Sequence, residues 1–82
     1  MTTNTKNREE ALNGKWSGTG ELPAVGDRVD VRLSGFGSGE VTGYCVTDGW
    51  TALYVKLDAP CTAEGTSYVG STRVMVFGVD LA

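Results

Sequence analysis

The stretch "SGFGSGEVTGY", residues 34–44, carries four of the 12 glycines in this 82-residue chain. Loops this rich in glycine often cradle phosphate, and that chemistry has strict requirements. A dinucleotide loop reads G-x-G-x-x-G between a strand and a helix, so that the phosphates meet the helix N-terminus. Here Gly35, Gly37 and Gly39 are spaced G-x-G-x-G. A P-loop ends in Gly-Lys-Ser/Thr, and no lysine comes after these glycines. The next residues are instead strand formers: Val41, Thr42, Tyr44, Cys45 and Val46. The stretch therefore reads as a loop between two strands, its glycines accepting the positive φ of tight turns. Gly43 inside the second strand reads as a bulge or sharp bend. Phe36, with glycine on both sides, is expected to stand at the loop tip, free to reach a partner.

Other reactive constellations are absent. The chain has no histidine, which removes Ser-His-Asp and Cys-His catalysis and the commonest metal ligand. No serine has a recognisable base beside it. Asp27 and Asp30 read as a solvated turn and an outer strand face. Cys45 and Cys61 match no metal knuckle and read as free thiols in a reducing compartment. No catalytic residue, metal or cofactor is expected.

The elements that position the remaining side chains are short strands. "RVDVRL" alternates Val29, Val31 and Leu33 with Asp30 and Arg32, the period of a half-buried strand. "EVTGYCV" is the second strand. Asp48-Gly49 is a strong hairpin signal. "TALYVKL" places Leu53, Val55 and Leu57 on one face and Ala52, Tyr54 and Lys56 on the other. Pro60 keeps "DAPCTAEGTS" a loop. "TRVMVF" is the fourth strand, and after Gly78 "VDL" is expected to return as a short fifth. Such spacing predicts an all-β fold, a small five-stranded SH3-like barrel over residues 23–82. Residues 1–22 read as an N-terminal arm. Asn4 or Thr5 would cap a short helix over residues 6–12, and Asn13-Gly14 would stop it. In "VMVF", Val74 and Val76 fill the core. Met75 and Phe77 then point outward, as a candidate oligomer interface or a surface covered by the arm.

Charge narrows the partner class. Formal net charge is −3. Residues 1–24 balance, so the acidic excess lies in residues 25–82. Nucleic-acid binding depends on neutralising phosphates, so it is disfavoured, and a protein partner with a basic surface is expected. No apolar run reaches the length of a membrane helix, and the first residues lack the apolar core of a secretory signal. A cytoplasmic location is the expectation. The surface signal left is aromatic: Trp16 in the arm, Phe36, Trp50 and Tyr54 form the candidate partner-binding set. Trp16 has a second reading, as a plug folded onto one end of the barrel.

Two resemblances rest on particular phrases. "WSGTGELPAVGDRVDV", then "GSGEVTGYCVTDGWTALYVKLDAP" and a closing "VFGVDL", resemble a group of small tailed-phage proteins. Their recurring phrase is W-x-G-x-G-x-L-P-P-V-G, with Ala24 here at the second proline. This likeness covers residues 16–82 and implies phage origin, with no activity attached. Gly26, Asp27, Arg28, Val29, Gly39, Val41 and Gly43 are similar to the signature of plasmid-type dihydrofolate reductases, SH3-like barrels that assemble as tetramers around a pore. The chain departs from that signature where the activity lies. Val31 stands at the pore lysine, Met75 at the glutamine, and Phe77 lacks the tyrosine hydroxyl. With phage origin from the first likeness, the acidic excess and the missing catalytic groups lead to the expectation of a phage-encoded, non-enzymatic protein-binding module in the host cytoplasm, in a specific form an inhibitor of a host defence complex. The alternatives are a divergent reductase of the plasmid type and a minor virion or assembly component.

Overall fold

The computed structural model describes residues 14–82. The fold is all-β: β1 (Arg28–Val31), β2 (Gly37–Thr47), β3 (Trp50–Leu57) and β4 (Arg73–Phe77), then a 3-10 turn at Gly78–Asp80. The strands form one antiparallel sheet in the order β1-β2-β3-β4. No helix among the described residues is long and apolar enough to cross a membrane. The helix expected over residues 6–12 lies outside the described residues.

Local sequence sets most of this order. Asp48 and Gly49 both take positive φ, 52° and 83°, the backbone of a primed hairpin turn. They bring Thr47 opposite Trp50. The bend expected at Gly43 is a bulge: the β2–β3 register shifts between Val41 and Gly43. Thr42, left out of the ladder, donates its hydroxyl to the Tyr54 carbonyl at 3.3 Å. The core holds Leu22, Val31, Val41, Leu53, Val55, Leu57, Cys61, Val74 and Val76. On β3 and β4 the alternation is as expected, with Tyr54 and Lys56 exposed and Met75 and Phe77 half-buried on the outer face. Ala52 departs from it. It is buried on that outer face, between its cross-strand partners Cys45 and Phe77.

Three expectations are corrected. β1 stops at Val31, and Leu33 lies in the following turn, where its carbonyl accepts from the Phe36 amide at 3.2 Å. The segment expected as a fifth strand is the 3-10 turn followed by a single antiparallel bridge from Leu81 to Val31. The Asp80 carboxylate accepts from the Phe77 amide at 2.9 Å, and the Leu81 amide bonds the Gly78 carbonyl at 3.1 Å, so the chain curls before it can extend. The bridge nonetheless joins the chain after β4 to the outer edge of β1: Arg32 donates to the Asp80 carbonyl and Ala82 to the Asp30 carbonyl. The third correction is Phe36. It is only 8% exposed and packs in the core cluster, edge-on to Tyr68 with ring centroids 6.0 Å apart. The long loop after β3 folds against the glycine loop, with the Thr62 amide bonding the Gly35 carbonyl, and encloses the ring.

The described part of the arm is fastened to this sheet. Lys15 forms a parallel bridge to Trp50, receiving the Thr51 amide and donating to the Gly49 carbonyl, both at 2.8 Å. Leu22 is buried in the core, and Tyr44 donates its hydroxyl to the Pro23 carbonyl. The phrase W-x-G and the distant V-F-G meet in space. The Trp16 indole lies where a β-carbon on Gly18 would fall, and a β-carbon on Gly78 would stand 2.1 Å from the Gly18 amide nitrogen. The missing side chain of Gly78 lets the two backbones meet, and that of Gly18 makes room for the indole.

Candidate binding groove

The outer face of β3 and β4 carries three cross-strand pairs: Ala52 with Phe77, Tyr54 with Met75, and Lys56 with Arg73. Between the last two pairs and the loop residue Tyr68 lies a concavity of about 470 Å³. Thr42, Val55 and Val74 complete its lining. It falls within the range of ligand-binding clefts.

The strands dictate the geometry. Tyr54 is 45% exposed, and its ring runs past Gly43, where an added β-carbon would sit 3.5 Å from it. The bulge and the missing side chain thus leave room for the tyrosine to lie along the sheet. Met75 is held from two sides. The Cys45 thiol points at its sulfur, 3.3 Å away, and its amide donates to the Tyr68 hydroxyl at 3.4 Å. The Cys45 thiol beside the Tyr54 hydroxyl, first by hydrogen bonding and then by its charge, raises the phenol above its ordinary value. Tyr54 therefore remains a neutral hydrogen-bonding group through the physiological range. Met and aromatic side chains together make an adaptable apolar floor.

Of the aromatics expected to bind a partner, the structure places Trp50 and Tyr54 on the same outer face of β3. Trp50 is 43% exposed, with the Lys15 ammonium 5.8 Å from its ring centroid. Four residues of strand put the two side chains roughly 13 Å apart, so only Tyr54 lines the groove. Trp16 is half-buried against the core, and its indole N–H is buried with no acceptor among the described residues. This is the plugging arrangement, not an exposed anchor. Phe36 is enclosed by the loop after β3 and is buried rather than projecting from the loop tip. Of the two residues expected at an oligomer interface, Met75 lines the groove and Phe77 lies beside it, across from Ala52.

Sequence reasoning missed Tyr68, Lys56 and Arg73. Tyr68 sits in a loop with no period to read. The two cations did carry a signal: each takes an outward position on a strand whose neighbour in the sheet is the other's.

A scan of protein-family models, a search of curated proteins and a search of solved structures each found no match to this chain.

Proposed function

We propose that this chain is a non-enzymatic protein-binding module of phage origin, a small barrel with SH3-like connectivity that acts in the host cytoplasm. The observation that carries the reading is the β3–β4 groove, where Tyr54 and Met75 form an apolar floor beside Lys56 and Arg73. Exposed aromatic side chains that are already held in place lose little freedom on binding and anchor interfaces strongly. The connectivity is supported by the bridge from Leu81 to Val31, which adds a fifth rung after the 3-10 turn. Phage origin is supported by the shared phrases around Trp16 and Gly78. The close approach of Gly18 and Gly78 gives those phrases a role in building the barrel. In its most specific form the module inhibits a host protein complex by occupying one of its working surfaces.

The test is affinity capture from lysate of the phage's host, with the wild type and Tyr54→Ala side by side. A defined protein recovered by the wild type and lost with Tyr54→Ala is the expected result. Equal recovery by both proteins, or none above background, sinks the reading. Finding the chain in purified virions by mass spectrometry would instead favour an assembly component.

A further inference from the structure

Lys56 and Arg73 stand directly opposite each other on β3 and β4, and both are exposed. Opposed positions on antiparallel strands bring β-carbons to about 5 Å, where like charges repel. Lys56 has Glu40 as its other cross-strand neighbour. Arg73 lies on the edge strand, with no strand beyond it among the described residues. The ion pair among the described residues is Arg28 with Asp58, elsewhere on the surface. Among the described residues no carboxylate lines the groove. A chain of net charge −3 thus keeps two adjacent cations beside an apolar floor, an arrangement that an incoming anion relieves.

The shape and chemistry of that floor narrow the anion further. Tyr54 and Met75 offer apolar surface, and Arg73 offers a fork of donors that suits a carboxylate held in two places. A nucleic-acid strand gains affinity by neutralising successive phosphates. Here the cations number two, and the acidic remainder of the chain opposes a run of phosphates. Resting on the reading of the groove as a protein-docking site, we propose that its occupant is an acidic-apolar segment of a protein partner, in which one Asp or Glu adjoins an aliphatic or aromatic residue. The apolar side chain lies on Tyr54 and Met75, and the carboxylate spans Arg73 and Lys56. Net charge alone favours a basic partner surface; the groove selects the opposite sign locally.

The experiment pans a displayed library of random peptides, roughly ten residues long, against the full chain. Enriched peptides are then synthesised, and their affinities are compared for the wild type, Arg73→Gln, Lys56→Gln and Tyr54→Ala. The enriched sequences are expected to carry an acid next to an apolar residue. Replacing that acid by its amide, or making Arg73→Gln, is expected to weaken binding about tenfold, the scale of one charged hydrogen bond. Arg73→Gln is expected to unfold at or above the wild-type midpoint, since it removes a repulsion, whereas Lys56→Gln also loses the opposite charge of Glu40 and is expected to unfold near the wild-type midpoint. Enriched peptides without acids, or acid and amide forms that bind alike, overturn the acidic preference; if Tyr54→Ala still abolishes their binding, the docking reading survives. Binding that Tyr54→Ala leaves intact, or no enrichment at all, overturns both. A fluorescein-labelled thymidine strand of about ten nucleotides that binds as tightly as the best peptide, and loses binding in Arg73→Gln, reassigns the groove to nucleic acid and overturns the proposal.

Discussion

The hydroxyl of Tyr68 accepts a hydrogen bond from the amide of Met75 at 3.4 Å. Two further side chains do the same along β4: Ser71 accepts from the Arg73 amide at 3.0 Å and Asp80 from the Phe77 amide at 2.9 Å. In an antiparallel ladder alternate residues turn their backbone groups away from the partner strand. Residues 73, 75 and 77 are those whose amides face outward from the edge, and each has a side-chain acceptor. An apolar edge such as "VMVF" is otherwise a template for another strand. The sheet thus presents β4 through its side chains, while its outward backbone donors are occupied.

Removing one cap tests this arrangement. Tyr68→Phe keeps the ring against Phe36 and deletes the acceptor. Stability is expected to fall by about 1 kcal/mol in urea denaturation, the usual worth of one hydrogen bond. Amide exchange at Met75, followed by NMR, is expected to rise more than that at Val74 or Val76. Equal protection of all three in both proteins would contradict the capping role.

The junction of Gly18 and Gly78 makes a sharper prediction. Gly78→Ala places a methyl group 2.1 Å from the Gly18 nitrogen, a clash with backbone that no rotamer relieves. A loss of about 3 kcal/mol, the upper range for overpacking, is expected from denaturant midpoints. A variant as stable as the wild type would mean that the two loops do not meet.

Phe36 and Trp50 separate folding from recognition. Phe36→Ala empties a buried site and is expected to cost about 3–5 kcal/mol. Trp50→Ala removes an exposed ring and its contact with Lys15, and is expected to cost about 1 kcal/mol or less. Thermal or chemical unfolding of the two variants checks the ranking. The reverse order would restore Phe36 as a surface residue.

These residues also show what a chain of letters discloses. The alternation of Leu53, Val55 and Leu57, the Asp48-Gly49 turn and the bend at Gly43 all appear in the fold, because each depends on neighbours within a few positions. Tyr54 is legible for the same reason. Phe36 is not, because its burial comes from the loop beyond β3, which folds back over it. The pairing of Lys56 with Arg73 depends on the register that this same loop permits, and no local rule fixes it. The fifth strand fails on one side chain: Asp80 captures an amide that a strand would leave for a neighbour.

The Arg28–Asp58 pair has a defined pH response. Arg28 donates to both carboxylate oxygens of Asp58, one at 2.9 Å. The hydrogen bonds from Arg28, and then its charge, hold the carboxyl below its ordinary value of 3.8. A group whose folded pKa is depressed contributes stability above its unfolded pKa and loses it as pH falls through the folded one. Both side chains are exposed, so the effect is small and weakens with salt. The unfolding midpoint of the wild type is expected to exceed that of Asp58→Asn near neutral pH and to converge with it as the pH falls through the depressed pKa of the folded-state carboxyl. A gap independent of pH would assign the difference to another cause.

The bulge at Thr42 lets one strand obey two opposite parities. Val41 and Tyr44 are three residues apart, yet both turn toward the core, which strict alternation forbids. Thr42 is a phase inverter. Ahead of it β2 is zipped to β1 and β3 together; beyond Gly43 it runs with β3 alone. Were Thr42 to enter the ladder opposite Tyr54, every later residue of β2 would slip by one: Tyr44 would turn out to solvent, Cys45 would turn in toward the core, and Tyr54 would lose the bare backbone of Gly43 on which it rests. The groove and the interior of this fold are therefore kept in step by a residue left out of the ladder.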